Sequence, residues 1–592
     1  MKADIKDLSL SKNAQFYNLD KKITKKSIKD AFKDISKDRI SNEYILNKVK
    51  EKYTTTSGND VIYSIISYDI EMEPSFLDGT DIKENKCAYL LIIECKDSIA
   101  ILKKYVDSPE KYFSDFISEF DYENFCHFYG DKKPEYERVT MKNMSISNAV
   151  IRSRSLEAKS LNGIVSSNSS SRSIPSNFRM KIEQDLYTLT PSTSRVSHRD
   201  KKDGLDGVID WVVETQNVIK DTTGKSEFLS NFAYPICLKD ILDRKYKVVA
   251  LLLDFGEIEE KIENGTAILK DINGDELTAI NINNLFNLLK SPVIVDDDNI
   301  RVKGVTLSGK ISYTKNLITI RNRILDSICV VESNIDSYTL GSYLNKNKPF
   351  SAVFDSPNYS YYSRSCFEDK HLLNNIQSIL NVFDDNYDFT NVTSEKEKPH
   401  APSLSRFPDT SLFRNVEDKY CVNHNVIICD DMNDEWADHI AIDSKSAIPS
   451  ISFIHSKFTK KEAYGASAFH EVVAQALKNI GRTQAEKDLF KHKYDNEWNS
   501  NYERTNINRV IGASNWDDLE KVLDVIYQNP NSIKKIVLAT PFLKKSKLKE
   551  ELEKLSIGEK CKPHYVQLVW LINTFISSCK DFGVQAHILC KP

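Results

Sequence analysis

The stretch from Asn425 to Arg482 constrains the fold of this 592-residue chain more than any other part of the sequence. One apolar run in it ends at Asp430, and after a short acidic segment another apolar run extends from Ile451 to Phe458. Short apolar runs bounded by polar residues predict neighbouring β-strands. Because side chains alternate between the two faces of a strand, we expect His455 and Lys457 on the same face.

An amphipathic helix is predicted directly after these strands. Its apolar side consists of Phe469, Val472, Val473, Ala476, Leu477 and Ile480. Its polar side is a stripe with the spacing of one helix face, formed by Glu471, Gln475, Lys478 and Arg482. Strands that present carboxylates, an imidazole and a lysine, followed by a helix with a polar stripe, point to a metal-dependent hydrolytic site.

The composition is that of a soluble globular protein, and the length predicts three to five domains. The net charge of -4 gives no overall attraction to nucleic acid, so any such contact needs a local basic patch. Eleven scattered cysteines without a C-x-x-C pair indicate reduced thiols in a cytoplasm. No run approaches 18 uninterrupted apolar residues, so we expect no membrane span and a cytoplasmic location.

The predicted fold class is a multidomain mixture of α/β and α+β parts. Residues 1–150 are predicted as an N-terminal α+β domain with a β-hairpin over Ala88–Glu94 and Ile99–Tyr105. Residues 197–400 are predicted as a middle α/β domain. Residues 401–592 alternate strands and helices, which predicts a C-terminal α/β domain with a partly parallel sheet.

Residues 151–196 are predicted as a linker or mobile loop because serine, asparagine and arginine dominate the first part of this segment. Four arginines lie among small hydroxyl residues, namely Arg152, Arg154, Arg172 and Arg179. This composition favours a flexible connection, although the same arginines could grip a phosphate backbone.

The segment from Asn425 to Arg482 resembles the core of the PD-(D/E)XK nucleases, the fold of many restriction enzymes. That family places an aspartate on one strand, (D/E)-x-K on the next, and a helix that often carries a glutamine after them. Asp438 matches the aspartate, Lys457 the lysine and Gln475 the glutamine. The sequence departs from the family at His455, which stands where the family has an acidic residue.

The resemblance implies a divalent ion, Mg²⁺ or Mn²⁺, which would polarise the phosphoryl group and activate a water. Carboxylates are the oxygen ligands that Mg²⁺ prefers, whereas imidazole suits transition metals better. We therefore expect Asp438 as a ligand and leave two options open for the rest of the site. Either His455 binds the metal or acts as a general base, or the missing carboxylate comes from Glu471 or Glu435. Lys457 would stabilise the charge that builds on phosphorus.

A basic groove for the substrate is predicted from four cations, Lys478, Arg482, Lys544 and Lys545. The layout is similar to that of bacterial defence proteins that combine a nuclease with DNA-sensing regions. This implies cleavage of phage or foreign DNA, with RNA as an alternative substrate, and a partner defence protein or further copies of the chain.

A second interpretation is a catalytically inactive nucleic-acid-binding or scaffold subunit of a defence complex, for which the histidine at position 455 is the main argument. Each residue also has a plain structural explanation. Glu471 near a helix start is favoured by the helix dipole alone, and His455 could be a hydrogen-bonded core histidine. Gln475 and Lys478 are residues that any solvent-facing helix surface carries.

Overall fold

A computed structural model describes most of the chain and divides it into two compact units. The first unit comprises residues 1–142 and 153–234, and the second comprises 143–152 and 235–592. The described residues are 3–74, 76, 81–143, 153–164, 173–221, 223–224, 226, 228–263, 265–289, 293–302, 305–314, 316–332, 335–347, 349–362, 365–369, 373, 376–397, 401–432, 434–460, 466–559 and 561–592.

The first unit is built on one antiparallel sheet of eleven strands. Along the sheet the strand order is β2-β3-β4-β5-β1-β11-β10-β9-β7-β8, and β6 pairs with β1. The strands are β1 (Asn13–Leu19), β2 (Leu46–Thr54), β3 (Asp60–Met72), β4 (Glu84–Cys95), β5 (Ser98–Lys104), β6 (Ile117–Glu119), β7 (Glu135–Asn143), β8 (Ser153–Glu157), β9 (Ser173–Ile182), β10 (Asp185–Thr190) and β11 (Arg195–His198). The helices are α1 (Lys25–Ile35), α2 (Tyr122–Cys126) and α3 (Leu205–Lys220), with 3₁₀ turns at Ile5–Asp7, Pro109–Phe113, Gly130–Lys132, Pro191–Thr193 and Leu229–Asn231.

A central strand of this sheet, β4, is apolar on both faces. In β4, neighbouring residues of the Leu90–Ile93 run enter different clusters, one with α3 and one with α1. The predicted hairpin is confirmed, since Ile93 lies opposite Ala100 where β4 pairs with β5.

The prediction of a linker over 151–196 is wrong for the part that the structure describes. Phe178, Met180 and Ile182 alternate along β9 and are buried in the core of the sheet. Their period-two pattern, which decides strand formation, lies just after the Ser- and Arg-rich composition that suggested a flexible segment. Arg179 pairs with Glu137 at 3.1 Å.

Two of the arginines weighed as phosphate contacts, Arg152 and Arg172, lie outside the described residues. Arg154 belongs to strand β8.

The second unit begins with a nine-stranded sheet in the order β12-β23-β22-β21-β13-β15-β16-β17-β18 and a three-stranded sheet in the order β14-β19-β20. The strands are β12 (Tyr234–Ile236), β13 (Val248–Leu253), β14 (Ala267–Lys270), β15 (Val293–Asp296), β16 (Asn299–Val302), β17 (Val305–Tyr313), β18 (Ile318–Asn322), β19 (Cys329–Glu332), β20 (Ile335–Thr339), β21 (Phe350–Phe354), β22 (Tyr359–Tyr362) and β23 (Ser365–Glu368). The helices are α4 (Leu238–Asp243), α5 (Gly256–Glu263), α6 (Ala279–Leu289), α7 (Arg323–Ser327), α8 (Leu340–Asn347) and α9 (Ile376–Leu380).

A seven-stranded mixed sheet completes the second unit, in the order β24-β30-β29-β27-β26-β25-β28. Its strands are β24 (Phe383–Asp384), β25 (Val426–Cys429), β26 (His439–Asp443), β27 (Ser450–Ser456), β28 (Val510–Ile511), β29 (Ile533–Lys544) and β30 (Gln585–Lys591). The helices are α10 (Leu412–Asn415), α11 (Ala466–Lys478), α12 (Lys487–Lys493), α13 (Trp516–Gln528), α14 (Lys545–Ser556) and α15 (Pro563–Asp581). Two π-helical segments follow α10 and α12, at Val416–Tyr420 and Tyr494–Trp498, and 3₁₀ turns lie at Cys421–Asn423 and Ile480–Gln484.

The directions of these strands bring three strand termini to one edge of the sheet. β26 runs antiparallel to both β25 and β27, and β27 is parallel to β29. The ends of β25 and β27 and the start of β26 therefore lie at the same edge. The apolar side of α11, which includes Val472 and Leu477, packs beneath this edge with α15.

The mixed α/β character and the partly parallel C-terminal sheet are as predicted. The division of the chain is different, because residues 235–592 form one unit and the sheet takes β24 from before position 401. Of the helices that the structure describes, none combines the length and apolar character needed to cross a membrane.

Candidate metal centre

Three carboxylates converge at the edge where β25, β26 and β27 end or begin. Asp431 follows β25, Asp438 immediately precedes β26, and Glu435 lies in the loop between them. One oxygen from each lies within 4.8 Å of the others, which is close enough to share a cation. This group contains two of the predicted ligands, Asp438 and Glu435. Sequence reasoning did not assign the third, Asp431, although two consecutive aspartates after an apolar strand mark the position.

The backbone of β27 fixes the orientation of Asp438. The N–H of Ser456 donates to Asp438 Oδ2 at 2.7 Å, and Asp438 is only 7 % exposed. Burial and the neighbouring Glu435 hold the pKa of Asp438 well above its ordinary value. Burial and the charge of Asp431 likewise raise the pKa of Glu435 to about 7. Burial first, and then their mutual proximity, therefore disfavour the ionised forms of these two carboxylates.

Lys396 is the cation nearest to Asp431. Its Nζ donates to Asp431 Oδ1 at 2.7 Å, and the hydroxyl of Tyr502 donates to Asp431 Oδ2 at 2.6 Å. Burial alone would lower the pKa of Lys396, but the nearby carboxylates of Asp431 and Asp438 outweigh it and raise that pKa. Lys396 therefore stays charged and balances part of the cluster.

Lys457 approaches the cluster from the end of β27. Its Nζ lies 3.0 Å from Glu471 Oε2 on α11, so the predicted lysine and one predicted carboxylate form an ion pair. Burial lowers the pKa of Lys457, but the carboxylates of Glu471, Glu395 and Asp438 raise it by more. The net change in this pKa is therefore upward. The backbone N–H of Phe458 donates to Glu395 Oε2 at 3.2 Å, which brings a further carboxylate to this edge.

His455 lies two residues before Lys457 and is 1 % exposed. Burial lowers the pKa of its imidazole to about 3, so the ring is neutral at physiological pH. A group with so low a pKa is a weak proton acceptor, so the burial of His455 does not favour it as a general base near neutral pH. Among the described residues, the group with converging ligand atoms contains neither His455 nor Glu471.

The loop that presents the cluster is anchored by Asp430, which is fully buried. Its Oδ2 accepts from the backbone N–H of Trp436 at 2.7 Å, and its Oδ1 accepts from Trp498 Nε1 at 2.7 Å and from Lys493 Nζ at 3.0 Å. Lys493 also contacts Glu497 Oε2 at 2.7 Å and the backbone oxygen of Asp434. Asp430, Asp434 and Trp436 are thus held by buried partners, whereas Asp431 and Glu435 belong to the carboxylate cluster.

The other predicted site residues lie on α11, in the turn after it, and where β29 meets α14. Gln475 and Lys478 are exposed on α11. Arg482 lies 3.9 Å from Asp434, with its guanidinium 5.5 Å from the centroid of the Trp436 ring.

Lys545, predicted as a nucleic-acid contact, instead has two partners within the protein. Its Nζ donates to Asp385 Oδ1 at 3.0 Å and to the backbone oxygen of Phe383 at 2.7 Å. Lys544 is the last residue of β29 and is half-buried. The structure thus gives Lys545 a role in holding β24 beside α14.

Comparison of the chain with family models, with curated proteins and with solved structures finds no match.

Replacing Lys493 by methionine is expected to lower the free energy of unfolding by about 3 kcal/mol or more, because Asp430 would be left buried without its cation. Urea unfolding followed by tryptophan fluorescence measures this, since Trp436 and Trp498 are the neighbours of Asp430. Lys491→Met on the same helix removes a largely exposed pair with Asp495 and should cost less than about 1 kcal/mol. Equal losses for the two variants would contradict the anchoring role of Lys493.

His455 should make stability fall as the pH is lowered. Its pKa in the folded state is below the value of an unfolded histidine, so the unfolded chain binds the proton first as the pH drops below about 6.5. Between about pH 7 and about pH 5 this amounts to about 2 kcal/mol. Urea unfolding of the wild type and of His455→Gln at both pH values should show a shallower pH dependence for the variant. Parallel dependences would mean that the imidazole is not kept neutral by burial.

Proposed function

We propose that the second unit is a metal-dependent nuclease that hydrolyses phosphodiester bonds of DNA, in the manner of the PD-(D/E)XK enzymes. The observation that carries this proposal is the convergence of Asp431, Glu435 and Asp438 at one sheet edge, with Lys457 directly after the adjacent strand β27. Asp438 at a strand start, Lys457 after the next strand and a following helix reproduce the order of that motif. A role in bacterial defence against phage or foreign DNA is part of the proposal and rests on the resemblance alone.

The donor set fits Mg²⁺ or Mn²⁺. The three side chains offer only carboxylate oxygens, which are the ligands that these hard cations prefer. Burial and then the neighbouring carboxylates raise the pKa values of Glu435 and Asp438, and a divalent cation bound here would offset both effects. When bound, such an ion polarises a phosphoryl oxygen and makes a water molecule more acidic.

The chain's own residues would then position the substrate and balance its charge. Lys457 is held by Glu471 at 3.0 Å, with its ammonium directed to the same edge as Asp438. A preorganised ammonium here can stabilise the negative charge that develops on a non-bridging phosphate oxygen. Lys396 supplies a second positive charge beside Asp431. In this proposal Glu471 takes part through its ion pair with Lys457, and Glu435 supplies a carboxylate in place of the one that the family motif has at position 455.

The second candidate function, a catalytically inactive nucleic-acid-binding or scaffold subunit, is favoured by one observation. The position that carries an acidic residue in the family is occupied by a buried, neutral histidine. On this alternative the carboxylates would be balanced by Lys396 and Lys457 and would bind no ion.

Binding of Mn²⁺ should strengthen with pH. Glu435, with its pKa raised to about 7, is protonated below that pH, and the proton competes with the cation. We expect the affinity to rise about ten-fold between about pH 6 and about pH 8. Calorimetry or electron paramagnetic resonance of Mn²⁺ measures this, and Glu435→Gln should bind more weakly with a flatter pH profile. Absence of Mn²⁺ binding by the wild type would favour the scaffold alternative.

Cleavage of plasmid or phage DNA with Mg²⁺ or Mn²⁺ tests the proposal most directly. Asp438→Asn and Lys457→Ala should each reduce the rate by about 100-fold or more, and EDTA should abolish cleavage. Lys445→Ala is the matched control, because Lys445 is exposed in the turn between β26 and β27 at the opposite end of the same hairpin. Cleavage that survives both site variants would refute the assignment, and intact DNA binding without cleavage by the wild type would support the scaffold.

A further inference from the structure

An open pocket of about 620 Å³ lies at the β28 end of the seven-stranded sheet. Three asparagines line it, Asn499, Asn501 and Asn508, together with Arg509 and the aromatic ring of Tyr494. A volume of this size is in the range of sites that hold small organic groups. The pocket is distinct from the carboxylate cluster, and nothing in the nuclease chemistry described above uses it.

The pocket and the carboxylate cluster share a wall. Arg509 lines the pocket, and its Nη1 donates to the backbone oxygens of Cys429 at 2.9 Å and of Asp431 at 3.2 Å. Trp498 also lines the pocket, and its Nε1 donates to Asp430. A nucleic-acid strand bound at the carboxylate cluster would therefore have the pocket beside it.

The chemistry of the lining favours a hydrogen-bonding ligand that carries no positive charge. None of the described residues that line the pocket is acidic, and the guanidinium of Arg509 is bonded to the backbone oxygens of Cys429 and Asp431. Asparagine amides offer both donors and acceptors, as the edge of a nucleobase requires. Tyr494 and Trp498 also line the pocket, but both side chains are buried, so hydrogen bonding rather than ring stacking would recognise the base.

Addition of a peptide strand is the competing explanation, because β28 pairs with β25 alone and forms the edge of the sheet. A peptide that adds to an edge gains most of its affinity from a ladder of backbone hydrogen bonds. β28 has only two residues, Val510 and Ile511, and therefore offers too short a ladder. The side-chain amides beside it point to a ligand recognised at its edges instead.

We propose that this pocket receives an unpaired nucleobase of the DNA strand whose phosphodiester lies at the carboxylate cluster. The proposal rests on the nuclease function proposed above and adds the form of the substrate, a strand with at least one base that is not paired. The amides of Asn501 and Asn508 hydrogen-bond the base, and the shared Arg509 wall sets its distance from the phosphate.

The test compares binding of a fluorescein-labelled single-stranded oligonucleotide with binding of the same strand made abasic throughout its central segment. Titrations by fluorescence anisotropy in EDTA separate binding from cleavage. The combined variant Asn501→Ala and Asn508→Ala should bind the intact strand about ten-fold more weakly and the abasic strand as the wild type does. Asn496→Ala is the matched control, because Asn496 is exposed nearby and bonds only to its own helical segment, at the backbone oxygen of His492.

The outcomes distinguish this proposal from the nuclease proposal. Cleavage by the wild type with unchanged binding by the asparagine variant overturns the pocket alone. Loss of base-dependent binding in that variant, without cleavage by the wild type, supports the pocket and overturns the nuclease. Equal weakening on intact and abasic strands overturns the pocket, because it shows an effect that does not involve the base. Asn499→Ala provides a second variant at the pocket's exposed rim should the combined one fold poorly.

Discussion

The candidate site depends on the buried carboxylate of Asp430, which is not itself part of the carboxylate cluster. Asp430 is enclosed between Trp498, Lys493 and the backbone of Trp436, and every hydrogen bond it accepts fixes part of the loop from β25 to β26. An ionised aspartate in such a place is tolerable only because its partners are charged or well-aligned donors. Once that loop is fixed, the next residue, Asp431, must turn toward Lys396 and Tyr502.

Crowding of carboxylates is the second constraint, and it explains why the neighbouring lysines have raised pKa values despite their burial. Lys396 and Lys457 each gain more from nearby negative charge than they lose by leaving water. The same balance leaves Glu435 with a pKa close to neutrality. A site poised in this way responds to a cation, a proton or a phosphate, because each changes the same sum of charges.

Sequence pattern predicted the parts of the site that are close together in the chain. Alternation in β27 and the polar stripe of α11 indicated Lys457 and Glu471, which form an ion pair. The pattern could not indicate Lys396 or Lys493, because they reach Asp431 and Asp430 from 35 and 63 residues away along the chain. Long-range pairs of this kind are decided by tertiary packing, which leaves no local periodicity to read.

The same distinction separates the successes and failures for the fold. The C-terminal strands and helices were evident from long apolar runs, whereas composition misled over Ser173–Ile182, where the alternation of buried residues decides the structure. The sequence pattern also could not predict that residues 235–592 form one unit, because this depends on which sheets share a core.

The place of β30 in the sheet has a consequence for how the protein is made. β30 lies between β24 and β29, so a strand from residues 585–591 fills the gap between one that ends at Asp384 and one that begins at Ile533. About two hundred residues must therefore be translated after β24 before its neighbour in the sheet, β30, has been made. The sheet that carries the carboxylates is therefore completed late in synthesis, when its last strand in the chain joins β24 to β29.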